Sequence, residues 1–196
     1  MKPALALFDF DGTITNKDTF LEFIKFYKGN LRFYSGMLLL SPWLVLFKLK
    51  IFENWKAKEM VLKYFFKGEN QADFKLKSQI FAKDIIPTMI RPKALQQLKK
   101  HIENGDKVII ISASAENWIS SWVEQFNIPL LATRLEIKNG LITGNLEGKN
   151  CYGAEKINRL KIFLNNETYD KIYAYGDSSG DRELLAFATD KFYRHF

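Results

Sequence analysis

Two aspartates one residue apart close an apolar run near the start of the chain, Leu5-Ala6-Leu7-Phe8-Asp9-Phe10-Asp11-Gly12-Thr13. Alternate residues of an extended chain project the same way, so Asp9 and Asp11 can share a face with Phe10 opposed. Carboxylates that close repel unless a cation lies between them or one keeps a proton. A hard divalent metal suits the pair, with Mg²⁺ the usual occupant of oxygen-rich sites beside phosphate. An Asp-Gly turn can also close a β-hairpin, but a long helical stretch follows here instead of a partner strand. Further along, Ser112 ends the apolar run Lys107-Val108-Ile109-Ile110-Ile111. Lys156 follows Gly153-Ala154-Glu155, and Gly176-Asp177-Ser178-Ser179-Gly180-Asp181 follows Lys171-Ile172-Tyr173-Ala174-Tyr175. Singly these are ordinary: Ser112 or Ser114 a helix cap, Lys156 a surface lysine, Asp177 and Asp181 turn residues. Their joint order is not ordinary.

The elements that must position these groups are legible from periodicity. Buried parallel strands read as continuous apolar runs, and three such runs end in Asp9/Asp11, Ser112 and Asp177/Asp181. In open α/β sheets ligands sit beyond the carboxyl ends of the strands, so all three ends belong on one edge. Pro92 can start a helix whose Leu95, Leu98 and Ile102 share a face, with Asn104-Gly105 as its stop. Ser114 can cap the helix that runs to about Phe126. Leu130 to Leu135 starts another extended run, and Asn139-Gly140 is a hairpin turn between Glu136 and Ile142. Helices follow over Lys156 to Phe163 and Arg182 to Phe187, and a short strand near Phe192-Tyr193 finishes the chain. The fold class expected is α/β: a doubly wound, parallel-sheet (Rossmann-like) core formed by residues 1–15 and 92–196. A helical cap, residues 16–91, is inserted after the first strand.

That insertion is predicted to be helical, with Asn16 or Asp18 as N-cap and a break at Gly68-Glu69-Asn70. Its unusual part is Leu31 to Phe52, where the fifteen residues Phe33 to Phe47 carry no charge and Arg32, Lys48 and Lys50 flank them. A bilayer span needs about 20 residues, and Pro42 is expected to kink or break a helix here. A helix-turn-helix with an apolar tip against lipid and a buried helical pair remain as the two readings.

The 196 residues are 47% hydrophobic, ample for a core, and the one cysteine, Cys151, excludes an internal disulfide framework. The run Ala4 to Phe8 is too short for a signal-peptide core, so a cytoplasmic location is expected. Residues 16–91 hold 14 Lys/Arg against 7 Asp/Glu, while the remainder holds 15 of each, so the net +7 lies in the insertion. A field of that sign concentrates anionic partners: a phosphorylated substrate, an acidic membrane surface or nucleic acid. A solvated lysine-rich face is the plainer alternative.

Asp9-Phe10-Asp11-Gly12-Thr13, Ser112, Lys156 and Gly176 to Asp181, in that order, resemble the four signatures of the haloacid dehalogenase superfamily. The helical insertion, and the stretch from Ala132-Thr133-Arg134-Leu135 to Asn150-Cys151-Tyr152-Gly153, are similar to its phosphoserine-phosphatase-like branch (subfamily IB). The resemblance implies a phosphatase in which Asp9 attacks phosphorus and forms an aspartyl-phosphate. Asp11 would protonate the leaving alcohol and then activate water. Mg²⁺ would engage Asp9, the Asp11 carbonyl and Asp177, with Asp181 in the same acidic shell. Lys156, Ser112 and the Ala113 amide would hold the phosphoryl oxygens.

For the substrate, Asp18 stands where the phosphoserine-specific enzymes use an acidic residue toward the amino group. The basic insertion and apolar 33–47 stretch are instead similar to phosphatidylglycerophosphatase-type members. That similarity implies a lipid headgroup as substrate and peripheral contact with an anionic membrane at its inner surface. The alternative is a soluble small-metabolite phosphatase; nucleic acid is not the partner either points to, and no oligomeric state follows. A phosphoaspartate signalling domain also combines acidic residues, a hydroxyl and a lysine. It lacks the Asp-x-Asp pair and a helical insertion at this place.

Overall fold

A computed structural model describes residues 3–48 and 53–196. The element order is β1 (Leu5–Phe8), α1 (Thr19–Lys28), α2 (Asn30–Lys48), α3 (Asn54–Phe66), α4 (Gln71–Ile80), α5 (Pro92–Glu103), β2 (Lys107–Ala115), α6 (Glu116–Glu124), β3 (Leu130–Lys138), β4 (Leu141–Glu147), α7 (Ala154–Leu164), β5 (Ile172–Gly176), α8 (Arg182–Phe187) and β6 (Asp190–Tyr193). A π-helical turn (Phe81–Ile85) and a 3₁₀ turn (Ile86–Met89) join α4 to α5.

The sheet order is β4-β3-β2-β1-β5-β6. All pairings are parallel except β3 with β4, the hairpin at one edge. β1 is central because every one of its residues is apolar and buried. Its alternate side chains serve two cores. Ala6 and Phe8 face Leu98, Trp118 and the insertion, whereas Leu5 and Leu7 face Leu160, Leu164 and Leu184. The expected α/β architecture, with helices on both faces and a helical insertion after β1, is the one observed.

Two expectations are corrected. β2 does not end at Ser112 but runs to Ala115, with a register shift between Ser112 and Ala115 against β3. Ser114 therefore lies on the strand, and Ala115 occupies the N-cap position of α6. Nor does Pro42 break α2, which runs through it. Proline lacks the N–H that would reach the carbonyl four residues back, and the Ser41 hydroxyl donates to that Leu38 carbonyl instead (2.7 Å). Among the described residues no helix is long and apolar enough to cross a membrane. The expected basic flank at Lys50 and the run to Phe52 lie outside the described residues.

α2 divides the apolar stretch between a buried and an exposed face. Phe33 and Leu40 are buried, while Leu31, Tyr34, Leu38, Leu39, Trp43 and Val45 are exposed, Leu38 by 75%. The insertion is anchored at its root by an aromatic seam: Phe23 stacks on Trp118 (4.8 Å between centroids) and meets Phe74 and Phe81 edge-on. Such pairs add about 0.5–1.5 kcal/mol each beyond their buried area. The two connecting segments pair as a short antiparallel bridge, Thr15 with Ile90, with Asn16 N donating to Met89 O and Arg91 N to Ile14 O (both 2.8 Å).

Candidate active site

The carboxyl ends of β1, β2 and β5 converge on a pocket of about 500 Å³ that the insertion covers. Asp9 continues the β1 ladder through its N–H to the Tyr175 carbonyl (2.9 Å), and the chain then turns back, Ile14 N and Thr15 N both reaching Phe10 O. The turn sends Asp9 and Asp11 into the pocket and Phe10 into the core against Trp122. Gly12 has φ +78°, and a Cβ there would lie 2.3 Å from the Asp177 carboxylate. Only glycine lets the first turn and the Asp177 side chain approach so closely.

Lys156 is 1% exposed. It projects from the first turn of α7 and donates to Asp9 Oδ1 (2.5 Å) and Asp181 Oδ1 (2.6 Å). Burial works against its charge, but Asp9 and Asp181 outweigh it and hold the ammonium above the ordinary lysine range. Burial likewise works against Asp181, yet Lys156 and the Ser178 donors bring its carboxyl below the usual value. Asp181 Oδ2 accepts from the amides of Asp177 and Ser178 and from the Ser178 hydroxyl (2.9–3.2 Å), which fixes the turn after β5.

Carboxylate oxygens of Asp9, Asp177 and Asp181 lie within 4.8 Å of one another. Burial, then neighbouring charge, raises the carboxyls of Asp177 and Asp9, with Lys156 opposing both rises. Negative charge there exceeds what one lysine neutralises. Hard oxygen donors carrying surplus charge fit Mg²⁺.

Asp11 is held differently. Its Oδ1 accepts the Thr19 amide (2.7 Å) and its Oδ2 the Ser114 hydroxyl (2.6 Å), with the Ser112 hydroxyl further off at 3.4 Å. Its side chain therefore stands apart from the three-carboxylate cluster. Ser112 is fully buried and accepts the Ser114 amide (3.0 Å). Ala113 lines the pocket, and its carbonyl accepts from Thr133 Oγ1 (2.7 Å) and from the Lys58 ammonium. Asp18 lines the pocket mouth and caps α1 by accepting the Leu21 amide (3.1 Å).

The residues expected from sequence, Asp9, Asp11, Ser112, Ala113, Lys156, Asp177 and Asp181, are thus brought together, with Asp18 at the rim. Three others escape a linear reading. Lys58 of α3 lines the pocket and also reaches Asn150 Oδ1 (3.2 Å). Burial pushes its ammonium down to about 8, with Asp11 and Asp18 pulling the other way. Nothing marks it among the neighbouring helix lysines. Thr19 and Ser114 are the others. The only sequence signal for Ser114 is a second hydroxyl two residues after Ser112, on the same side of an extended strand. The lining also includes the apolar side chains of Phe20, Leu21, Met37, Leu44 and Val61.

Acidic groups at two strand ends, serine hydroxyls on a third strand, a buried lysine and a covering helical insertion define a hydrolase class, and comparison with known proteins agrees. The chain belongs to the haloacid dehalogenase-like hydrolases, whose family model matches residues 6–186. It is similar to Protein CicA of Caulobacter vibrioides, 35% identical over 199 residues covering 100% of this chain and 87% of that one. Its fold is similar to that of a protein of unknown function from Bordetella pertussis Tohama I (TM-score 0.82, 21% identity, 96% of this chain and 88% of that chain). It also resembles a substrate-bound phosphoserine phosphatase (TM-score 0.72, 20% identity, 98% and 86%). The two structural likenesses carry the fold.

Proposed function

We propose that this protein is a Mg²⁺-dependent phosphomonoester hydrolase that works through an aspartyl-phosphate on Asp9. The observation that carries the reading is the contact of Asp9 with buried Lys156 on the pocket floor, with Asp177 and Asp181 beside it and Asp11 separately held. An anionic nucleophile approaching an anionic ester needs positive charge at the oxygens that gain it. Lys156 supplies one such charge. Mg²⁺, held by Asp9, Asp177 and the Asp11 carbonyl with Asp181 alongside, would supply the rest as charge neutralisation. Asp9 forms the bond to phosphorus as the ester oxygen leaves, and Asp11 delivers a proton to that oxygen. Asp11 then takes a proton from the water that cleaves the acyl-phosphate. Ser112 and the Ala113 amide stand on the β2 side to hold phosphoryl oxygens, and residues 16–91 act as the cap over a core of 1–15 and 92–196.

The substrate we infer is a phospholipid-like or other amphiphilic phosphate, met at an anionic membrane surface on the cytoplasmic side. Two features support it: the apolar side chains in the pocket lining, and the exposed apolar face of α2 within the positively charged insertion. Attraction to anionic lipid adds about 1 kcal/mol per nearby basic residue. A soluble substrate such as phosphoserine is the second reading. It is favoured by Asp18 at the rim and by the likeness to a phosphoserine phosphatase.

Release of phosphate from p-nitrophenyl phosphate with Mg²⁺, lost in Asp9→Asn, tests the reaction. Absence of turnover across a panel of phosphate monoesters would sink it. Rates on a lipid phosphate against phosphoserine choose the substrate class.

A further inference from the structure

We propose that Thr19 and Ser114 are positioning residues that fix the Asp11 carboxylate through a one-way hydrogen-bond chain beginning at Trp118. The inference rests on the reading of Asp11 as the group that moves protons.

The direction of the chain follows from counting hydrogens. In the ionised state in which Asp11 takes the water proton its carboxylate only accepts, so the single proton of Ser114 Oγ goes to Asp11 Oδ2 at 2.6 Å. At the 3.0 Å contact between Ser114 Oγ and Thr19 Oγ1, Thr19 must then be the donor. Thr19 Oγ1 receives in turn from the Trp118 indole, which can only donate (3.3 Å). The Thr19 backbone amide grips the other oxygen of the same carboxylate (2.7 Å). Thr19 and Trp118 are fully buried and Ser114 is 3% exposed, so the links from Trp118 to Ser114 are shielded from bulk water. The chain joins the first turn of α1 to β2 and α6 and places a donor on each oxygen of Asp11, with the Ser112 hydroxyl adding a longer contact to Oδ2. A reacting group is effective only when its own rotamer is locked by supporting bonds.

The test compares Ser114→Ala, Thr19→Val, Thr19→Ser and the double variant Ser114→Ala/Thr19→Val, assayed with p-nitrophenyl phosphate and Mg²⁺. Thr19→Val keeps the volume and the amide but loses the hydroxyl; Thr19→Ser keeps the hydroxyl and loses a methyl. The expected result is a fall in kcat of about tenfold for Ser114→Ala and Thr19→Val, with KM little changed, and near wild-type kcat for Thr19→Ser. The double variant should be no worse than Ser114→Ala alone, because Thr19 acts through Ser114. Additive losses, or a harmless valine with a harmful serine, would overturn the proposal in favour of simple packing. The Trp118 indole N–H resonance, assigned with Trp118→Phe, gives a readout independent of turnover. It should move in Thr19→Val and stay in Thr19→Ser, and an unmoved resonance in the valine variant would overturn the chain itself. A wild-type protein inactive on every phosphate monoester would instead remove the phosphatase reading, while the indole still decides the geometry.

Discussion

One ammonium serves two carboxylates at the floor of the pocket, and the consequences of changing either partner differ. Removing Lys156 as Lys156→Met leaves Asp9 and Asp181 buried without their shared cation. Breaking a buried pair from one side costs about 3–5 kcal/mol, so a large fall in melting temperature is expected, partly restored by added Mg²⁺. Asp18 offers a pH test. Desolvation and then Asp11 push its carboxyl up to about 6 from 3.8, against donors from α1, and solvent at the exposed rim screens part of that push, so the effect on stability is small. A native carboxyl that binds protons more readily than the unfolded one loses stability as pH rises from about 4 through 6. Asparagine caps a helix as well as aspartate. Asp18→Asn should therefore melt higher than wild type at pH 7 and equally at pH 4, as thermal unfolding across that range would show.

At the scale of elements, the turn after β1 is the piece with least freedom. Gly12 combines a left-handed backbone with the Asp177 carboxylate where a side chain would begin. Gly12→Ala is expected to displace Asp177 and raise the Mg²⁺ concentration for half-maximal activity at least about tenfold, with backbone strain of order 1–3 kcal/mol. A metal titration of the assay checks this. The ends of the elements were the least legible part of the sequence. Pro92 and Asn104-Gly105 marked α5 correctly because both signals are local. The end of β2 lies three residues beyond the expected Ser112, because an Ala-Ser-Ala run carries no turn signal and the strand continues by pairing with Thr133.

At the scale of the whole molecule, α2 exposes an apolar surface among the described residues. Met37 and Leu44 of α2 line the pocket, while Leu38 and Leu39 stand 75% and 64% exposed on its outer side. Apolar surface inside a cationic field suits an anionic bilayer interface. The double variant Leu38→Glu/Leu39→Glu should stop sedimentation with phosphatidylglycerol vesicles at low salt and leave the melting temperature within a degree or two. Wild-type protein that does not sediment would remove the membrane reading and leave the phosphatase reading intact. The cap seam is a tertiary feature of the same kind. Phe23, Phe74, Phe81 and Trp118 gather from three separate stretches that show only generic helical spacing in sequence.

What the amino-acid sequence determined by itself was everything carried by short-range pattern. The apolar runs fixed the central strands, their polar ends fixed which edge carries the acidic pocket, and the order of Asp9, Asp11, Ser112, Lys156, Asp177 and Asp181 pointed to the family. Tertiary structure alone decided that one lysine bridges Asp9 and Asp181, across 147 and 25 residues. It likewise decided that Thr19 and Ser114, 95 residues apart, hold Asp11, and that α2 keeps an exposed face. The physical reason is that propensity and periodicity act over a few residues. A buried charge is stable only beside partners that folding brings in from far along the chain, and those partners have no local signature.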